Sequence, residues 1–332
     1  MPVLSRLLPD LQARIRQADA RIRPYVRETY IDPSPFFSEL GGAEVFFKCE
    51  NLQHTGSFKV RGALNKVLVM SPEERSRGAV TASTGNHGAA FAYALNQVGA
   101  EGIVFVPETA SSTKVAAIRR LGARVETFGR DSVETEAHAR AYAQTHGMTY
   151  VPPYNDLDVI AGQGTIAVEL VRQLGQVDAV FASVGGGGLI SGVAAHLKNV
   201  LPEVQIIGCS PENSQVMAQS VRAGRLLDLP SLPTLSDGTA GGVEPDSVTF
   251  PLCQALVDDW VEVGEEAIAD NLRAFMAAHH MMIEGSAAVA IAGYLRLKER
   301  FAGKRVAIIL CGANIDLDVL HHILTPPPPS HS

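Results

Sequence analysis

The sequence predicts an α/β protein built on two parallel sheets, and three observations carry that prediction. Short apolar runs rich in β-branched residues alternate with amphipathic stretches along the chain. The runs are mostly continuous rather than alternating, as in strands covered on both faces. A turn rich in Pro, Asn and Asp, VPPYNDLD at 151–158, separates two series of such units. In order, the predicted strands are 45–48, 79–82 and 102–106, then 177–183, 204–209 and 305–310. The segments 86–98, 131–146, 159–174, 189–199 and 284–298 read as helices between them. This division gives a large domain from 1–50 and 156–325 and a small domain from 51–155, with ligand sites expected at the carboxyl ends of the strands. The Pro-, Gly- and Ser-rich segment 225–250 is too long for an idle connection and reads as a loop covering the site. The proline-rich end, 326–332, is expected to be disordered.

Composition narrows the function. With 332 residues, 46% of them hydrophobic, and a net charge of −7, the chain has material for a sizeable core and lacks the clustered basic residues of a nucleic-acid binder. The amino-terminal stretch interrupts its apolar positions with Arg and Asp, so neither a secretory leader nor a membrane span is expected, and the cytoplasm is the expected location. Cysteines 49, 209, 253 and 311 are far apart and form neither a disulfide framework nor a zinc knuckle.

Four segments carry chemistry. In KCENLQHTGSFKVRGALNKV at 48–67, Thr55-Gly56-Ser57 reads as a turn with Ser57 as a helix cap, which sets Lys59 in the first helical turn beside Phe58. The helix dipole and burial both disfavour its charged form, as a nucleophilic amine requires. In TASTGNHGAAFAYALNQVG at 81–99, a strand ends in Ser83, Thr84, Gly85, Asn86 and His87 before a helix of small residues, an arrangement suited to a carboxylate. In VFASVGGGGLISGVAAHL at 180–197, Gly185, Gly186, Gly187 and Gly188 lie between strand and helix, so successive N–H groups can close on a phosphate. The dinucleotide fingerprint fails because Ile190 and Ser191 stand where its third glycine is needed, which points to a single phosphate monoester. In RVAIILCGANIDLDVL at 305–320, a buried strand ends at Cys311.

Together these segments, with VIAGQGT at 159–165, resemble the fold-type II pyridoxal-phosphate enzymes, in particular the threonine/serine dehydratases and serine racemases, over about residues 27–320. The resemblance implies a tryptophan-synthase-β-like fold with pyridoxal 5'-phosphate in the cleft between two domains. It implies that Lys59 holds the cofactor as a Schiff base and acts as the catalytic base, and that Asn86 bonds its phenolic oxygen. Gly185, Gly186, Gly187, Gly188 and Leu189 would hold the phosphate, Phe58 and Glu284 would border the cofactor, and Cys311 would face the ring nitrogen as a neutral, weak partner. Ser83, Thr84, Asn86, His87 and Tyr154 would receive the amino-acid substrate. The implied reaction is β-elimination of a 3-hydroxy amino acid such as L-threonine or L-serine to a 2-oxo acid and ammonia, in a homodimer.

Departures from the family pattern fall where the substrate is held. Thr84 occupies the place of the racemases' reprotonating serine, so racemase activity is the alternative, and Thr29-Tyr30-Ile31 and Glu284-Gly285-Ser286 replace common pocket motifs. These changes open a second alternative, a dehydratase for a bulkier substrate such as 3-hydroxyaspartate or phenylserine. The family's divalent-metal site would need acidic residues where Ser210 and Val216 stand, so no metal is expected there. With only a short stretch after CGAN, a carboxy-terminal regulatory domain like that of the long biosynthetic dehydratases is not expected.

Overall fold

The structure is a computed structural model that describes residues 2–325, with side chains from Leu4 onward; the predicted tail, 326–332, lies outside the described residues. Among the described residues, ten strands form two sheets: β1 (Ile31–Pro33), β2 (Glu44–Lys48), β3 (Ala79–Ala82), β4 (Gly102–Val106), β5 (Arg124–Thr127), β6 (Thr149–Tyr150), β7 (Ala179–Ser183), β8 (Gln205–Pro211), β9 (Asp259–Val263) and β10 (Arg305–Ile309). The larger sheet has the order β1-β2-β10-β7-β8-β9 and the smaller β5-β4-β3-β6. All pairs are parallel except β1 with β2.

Central strands are apolar because both of their faces are covered. All of β7, AVFAS, is buried, with Val180 opposite Ala307 of β10 and Ile206 of β8. Strands that sequence alone did not predict lie at edges or are very short: β1 ends in Pro33, β5 reads RVET and β9 alternates as DWVEV. The amino-terminal stretch is also helical, over Pro2–Ile22, and packs on the helices Leu157–Leu174 and Gly188–Val200.

One central helix, Leu157–Leu174, keys both functional segments together. A Cβ at Gly162 would lie 2.4 Å from the Arg61 carbonyl, so the helix Lys59–Val69 can touch it only at a glycine. Two residues on, on the opposite face, a Cβ at Gly164 would lie 2.9 Å from the carbonyl of Gly192, in the helix that follows the glycine loop. This close approach is the physical content of the VIAGQGT segment.

Charged groups complete the joint. Buried Arg61 grips Glu50 through Nε (2.7 Å) and Nη2 (2.8 Å), and Glu169 through Nη1 (2.7 Å) and Nη2 (2.9 Å). Buried Lys48 adds Nζ bonds to Glu169 Oε2 and the Thr29 carbonyl, each 2.6 Å. Burial, with a smaller part from the Arg61 charge, lowers the Lys48 pKa, and the surrounding carboxylates oppose that shift. Such a network holds its elements in one geometry, since removal of one partner leaves a buried charge unpaired at a cost of about 3–5 kcal/mol.

Candidate active site

A cavity of about 1070 Å³ lies between the two sheets, lined by the ends of β3 and β7 and by the segments around Lys59, Glu284 and Cys311. The amino termini of several helices border it, among them Lys59–Val69, Asn86–Val98, Gly188–Val200 and Gly285–Arg296. Their unpaired N–H groups and positive dipole ends favour anions. The covering segment contributes Asp237–Ala240 and Gly242 to the wall, as the sequence predicted.

Lys59 opens its helix, but Ser57 does not cap it, which corrects the sequence reading. Ser57 is extended, its buried Oγ has no partner, and the cap position is Phe58 without a side-chain bond. The turn is instead stapled to the strand leading to Cys311: Ser57 bridges Gly312, and Phe58 N donates to the Cys311 carbonyl at 3.0 Å. Thr55 takes a left-handed conformation with φ 62°, a strained choice for a β-branched residue. The Lys59 Nζ donates to the Pro153 carbonyl at 2.9 Å and lies 5.3 Å from the Phe58 ring centre. Desolvation in the cleft lowers its pKa to about 8, opposed by Cys311 and Glu284, although part of the side chain is reached from the cavity. At pH 7 about a tenth of the amine is then neutral, far more than for an ordinary lysine.

The glycine loop presents backbone alone. A Cβ at Gly185 would lie 2.8 Å from the Thr239 carbonyl, and at Gly186 2.5 Å from the Tyr154 ring. Gly187 adds φ 85°. Tyr154 lines the cavity beside this loop, with its Oη accepting from Glu244 N at 2.9 Å. That position makes Tyr154 first a wall of the glycine loop, where the sequence reading had it contact substrate.

Ser83, Thr84, Asn86 and His87 all reach the cavity. Ser83 Oγ accepts from Gly85 N at 3.2 Å. The buried His87 ring is committed elsewhere: Nε2 lies 3.0 Å from the Val151 carbonyl and must donate to it. Burial and the nearby Lys59 hold its pKa down to about 3, so the neutral ring offers the cavity no charge. What His87 can give an anion is its backbone N–H.

Behind these lies a polar group that no local pattern announces. Asn86 Nδ2 donates to Glu284 Oε1 (3.1 Å) and Oε2 (3.0 Å), and Asn314 N donates to Oε2 (3.2 Å). Cys311 Sγ, 3.6 Å from Glu284 Oε1, accepts from Ser183 Oγ at 3.5 Å. Burial pushes Glu284 up to about 7, and burial with the adjacent Glu284 keeps the Cys311 thiol well above its usual range and thus neutral. Asn314 was quoted in the sequence without a role; its position beside Cys311 in CGAN is the only local signal.

A walled cleft with an activated lysine, a backbone anion cradle and helix termini facing inward defines an enzyme that binds an anionic, amine-reactive group. The residues fit pyridoxal phosphate: Lys59 for its aldehyde, the glycine cradle for its phosphate and the neutral Cys311 thiol for its ring nitrogen. A family model described as pyridoxal-phosphate dependent enzyme matches residues 22–312, and the chain belongs to that family. It is 41% identical over 310 residues to an L-threonine ammonia-lyase of Thermotoga maritima, covering 93% of this chain and 77% of that protein. A beta-hydroxyaspartate dehydratase of Paracoccus denitrificans is 38% identical over 304 residues, 91% of this chain and 96% of the relative. The processed form of threonine deaminase isoform 2 from Solanum lycopersicum superimposes with a TM-score of 0.91 at 34% identity, covering 95% of this chain and 92% of that one.

Proposed function

We propose that this chain is an ammonia-lyase that converts a 3-hydroxy amino acid such as L-threonine or L-serine to a 2-oxo acid and ammonia. The observation that carries the reading is the low-pKa Lys59 amine in one cavity with the glycine cradle and the Ser83–His87 turn. The names of the relatives support it.

Pyridoxal phosphate, when bound, supplies the electron sink that makes the substrate Cα–H acidic. Lys59 Nζ would hold its aldehyde carbon and, as a free amine beside the substrate, would be the base that takes the Cα proton. The backbone of 185–189 holds the phosphate. Asn86 keeps one amide hydrogen for the cavity while Glu284 takes the other. Ser83 and Thr84 hydroxyls with the Asn86 and His87 N–H groups bind the substrate carboxylate and so orient Cα. A neutral Cys311 thiol would face the ring nitrogen as a weak partner that leaves it unprotonated, which would mute the electron sink.

A division into 1–50 with 156–325 and 51–155 is supported by the small sheet, whose strands all fall within 79–150. We assign a homodimer from the family resemblance, and the cytoplasm from an amino-terminal stretch that reads as neither leader nor membrane span. The test is a panel of hydroxy amino acids with 2-oxo acid detection, run on the wild type and Lys59→Ala. Keto acid from threonine or serine, lost by at least about 1,000-fold in Lys59→Ala, is expected; wild-type activity in that variant would sink the assignment. The Thr84 hydroxyl in the cavity favours racemisation as the second reading. Chiral analysis that finds racemised substrate without keto acid would select it.

A further inference from the structure

We propose that Asn314 is a positioning residue that sets which end of the Asn86 amide faces Glu284. The inference rests on the reading of Asn86 as a cofactor-binding residue and adds what orients it.

An amide side chain can be turned end for end at almost no steric cost, so its orientation must come from its partners. The Thr55 carbonyl can only accept, and Asn314 Nδ2 lies 2.7 Å from it. That contact requires the NH₂ end of Asn314 to point there. The same Nδ2 lies 2.7 Å from Asn86 Oδ1, which must therefore be the oxygen. The Asn86 NH₂ is thus directed to Glu284, 3.0–3.1 Å away. Donor direction passes in one line from a backbone carbonyl through two amides to a carboxylate.

The starting point of that line is itself held. Thr55 is in the left-handed region, and Gly56, with φ 73°, has no room for a Cβ, which would fall 2.7 Å from Asn314 Oδ1. Ala313 N donates to the Gly56 carbonyl at 2.8 Å, which ties the turn to the segment that bears Asn314. Asn86 is on the β3 side of the cleft, whereas Asn314 and Glu284 are on the side of the larger sheet. The amide pair therefore also joins the two walls. Thr55, Asn86, Glu284 and Asn314 all line the cavity, so an error in the Asn86 amide would present an oxygen where a donor is needed.

Asn314→Asp keeps the shape and reverses the direction. A carboxylate there accepts from Asn86, turns its oxygen toward Glu284 and repels the Thr55 carbonyl. The experiment compares holoenzymes of wild type, Asn314→Asp, Asn314→Ala, Asn86→Ala and the double variants. It reads the ratio of the cofactor's visible and near-ultraviolet absorption bands, which responds to hydrogen bonding at the ring oxygen, together with the cofactor dissociation constant.

The isosteric Asp is expected to be worse than Ala, with a changed band ratio and roughly 10- to 100-fold weaker cofactor binding, against about 3- to 10-fold for Ala. Both effects should vanish in the Asn86→Ala background. If the Asp effect persists there, the charge acts directly and the inference is overturned; it is equally overturned if Ala is worse than Asp. If Asn314→Asp does not fold, Asn314→Ala decides by whether its band change disappears without Asn86. An Asn86→Ala enzyme with an unchanged spectrum would instead refute the role given to Asn86.

Discussion

Two strand-to-helix turns border the same cavity and present hydrogen-bond donors in opposite ways. After β7, Gly185–Gly188 is pressed against Thr239, Tyr154 and Cys253, so no side chain fits and the loop offers only its backbone. After β3, the turn Ser83–His87 is open: a Cβ at Gly85 would meet nothing within 4 Å, and the turn works through side chains and the first N–H groups of its helix. The first turn is rigid because it is walled in. The second is correct only if distant residues orient it: Val151 for His87, and Glu284 and Asn314 for Asn86.

The contrast is sharpened first by Gly186→Ala. Its Cβ would lie 2.5 Å from the Tyr154 ring, so the loop or the ring must move; roughly 100-fold weaker cofactor binding, about 2.7 kcal/mol, is expected by equilibrium dialysis. Near-wild-type affinity would mean that the loop is not a tight cradle.

A somewhat smaller effect is expected on the open turn at low pH. The folded-state pKa of His87 is held to about 3 against an ordinary 6.5, so the ring contributes stability that is present above 6.5 and lost as pH falls toward 3. Between pH 6.5 and 5, denaturation of the wild type should lose about 2 kcal/mol more than that of His87→Gln, at up to about 1.4 kcal/mol per pH unit. Parallel pH profiles would break the claim that the ring is held neutral.

Between the two turns, Lys59 is expected to set the rate of cofactor capture. With its pKa near 8 in place of 10.5, the neutral amine is roughly 300-fold more abundant at pH 7. Capture by cofactor-free protein, followed by absorbance, should rise about tenfold from pH 6 to 7 and level off above about 8. A rise that continues to pH 10 would show an ordinary lysine. The smallest effect is reserved for Gly85→Ala, where stability should change by less than about 0.5 kcal/mol and cofactor binding hardly at all. A large loss there would erase the distinction between the walled and the open turn.

Legibility in the sequence followed burial and locality. The central strands β3, β4, β7 and β10 were predicted almost to the residue, because strands covered on both faces must be continuously apolar. Edge strands β1, β5 and β9 were not, because solvent on one side admits Asp, Arg, Glu and Pro. Lys59, the glycine loop and Cys311, which line one cavity, could be singled out because each belongs to a short pattern at a strand end or helix start. The Ser57 cap was wrong because its turn is held by Gly312 and Cys311, more than 250 positions away in the chain.

By itself, then, the sequence determined the layered α/β architecture and marked Lys59 and the glycine loop as candidates for nucleophile and anion cradle, since periodicity and glycine act over a few residues. Only the tertiary structure decided the state of those groups. Desolvation in the cleft lowers Lys59 and raises Glu284, and the wall of Tyr154 closes the cradle. The line from Thr55 through Asn314 and Asn86 to Glu284 gives donors their direction. These are properties of what surrounds a side chain, and the surroundings are assembled from segments that chain order keeps apart.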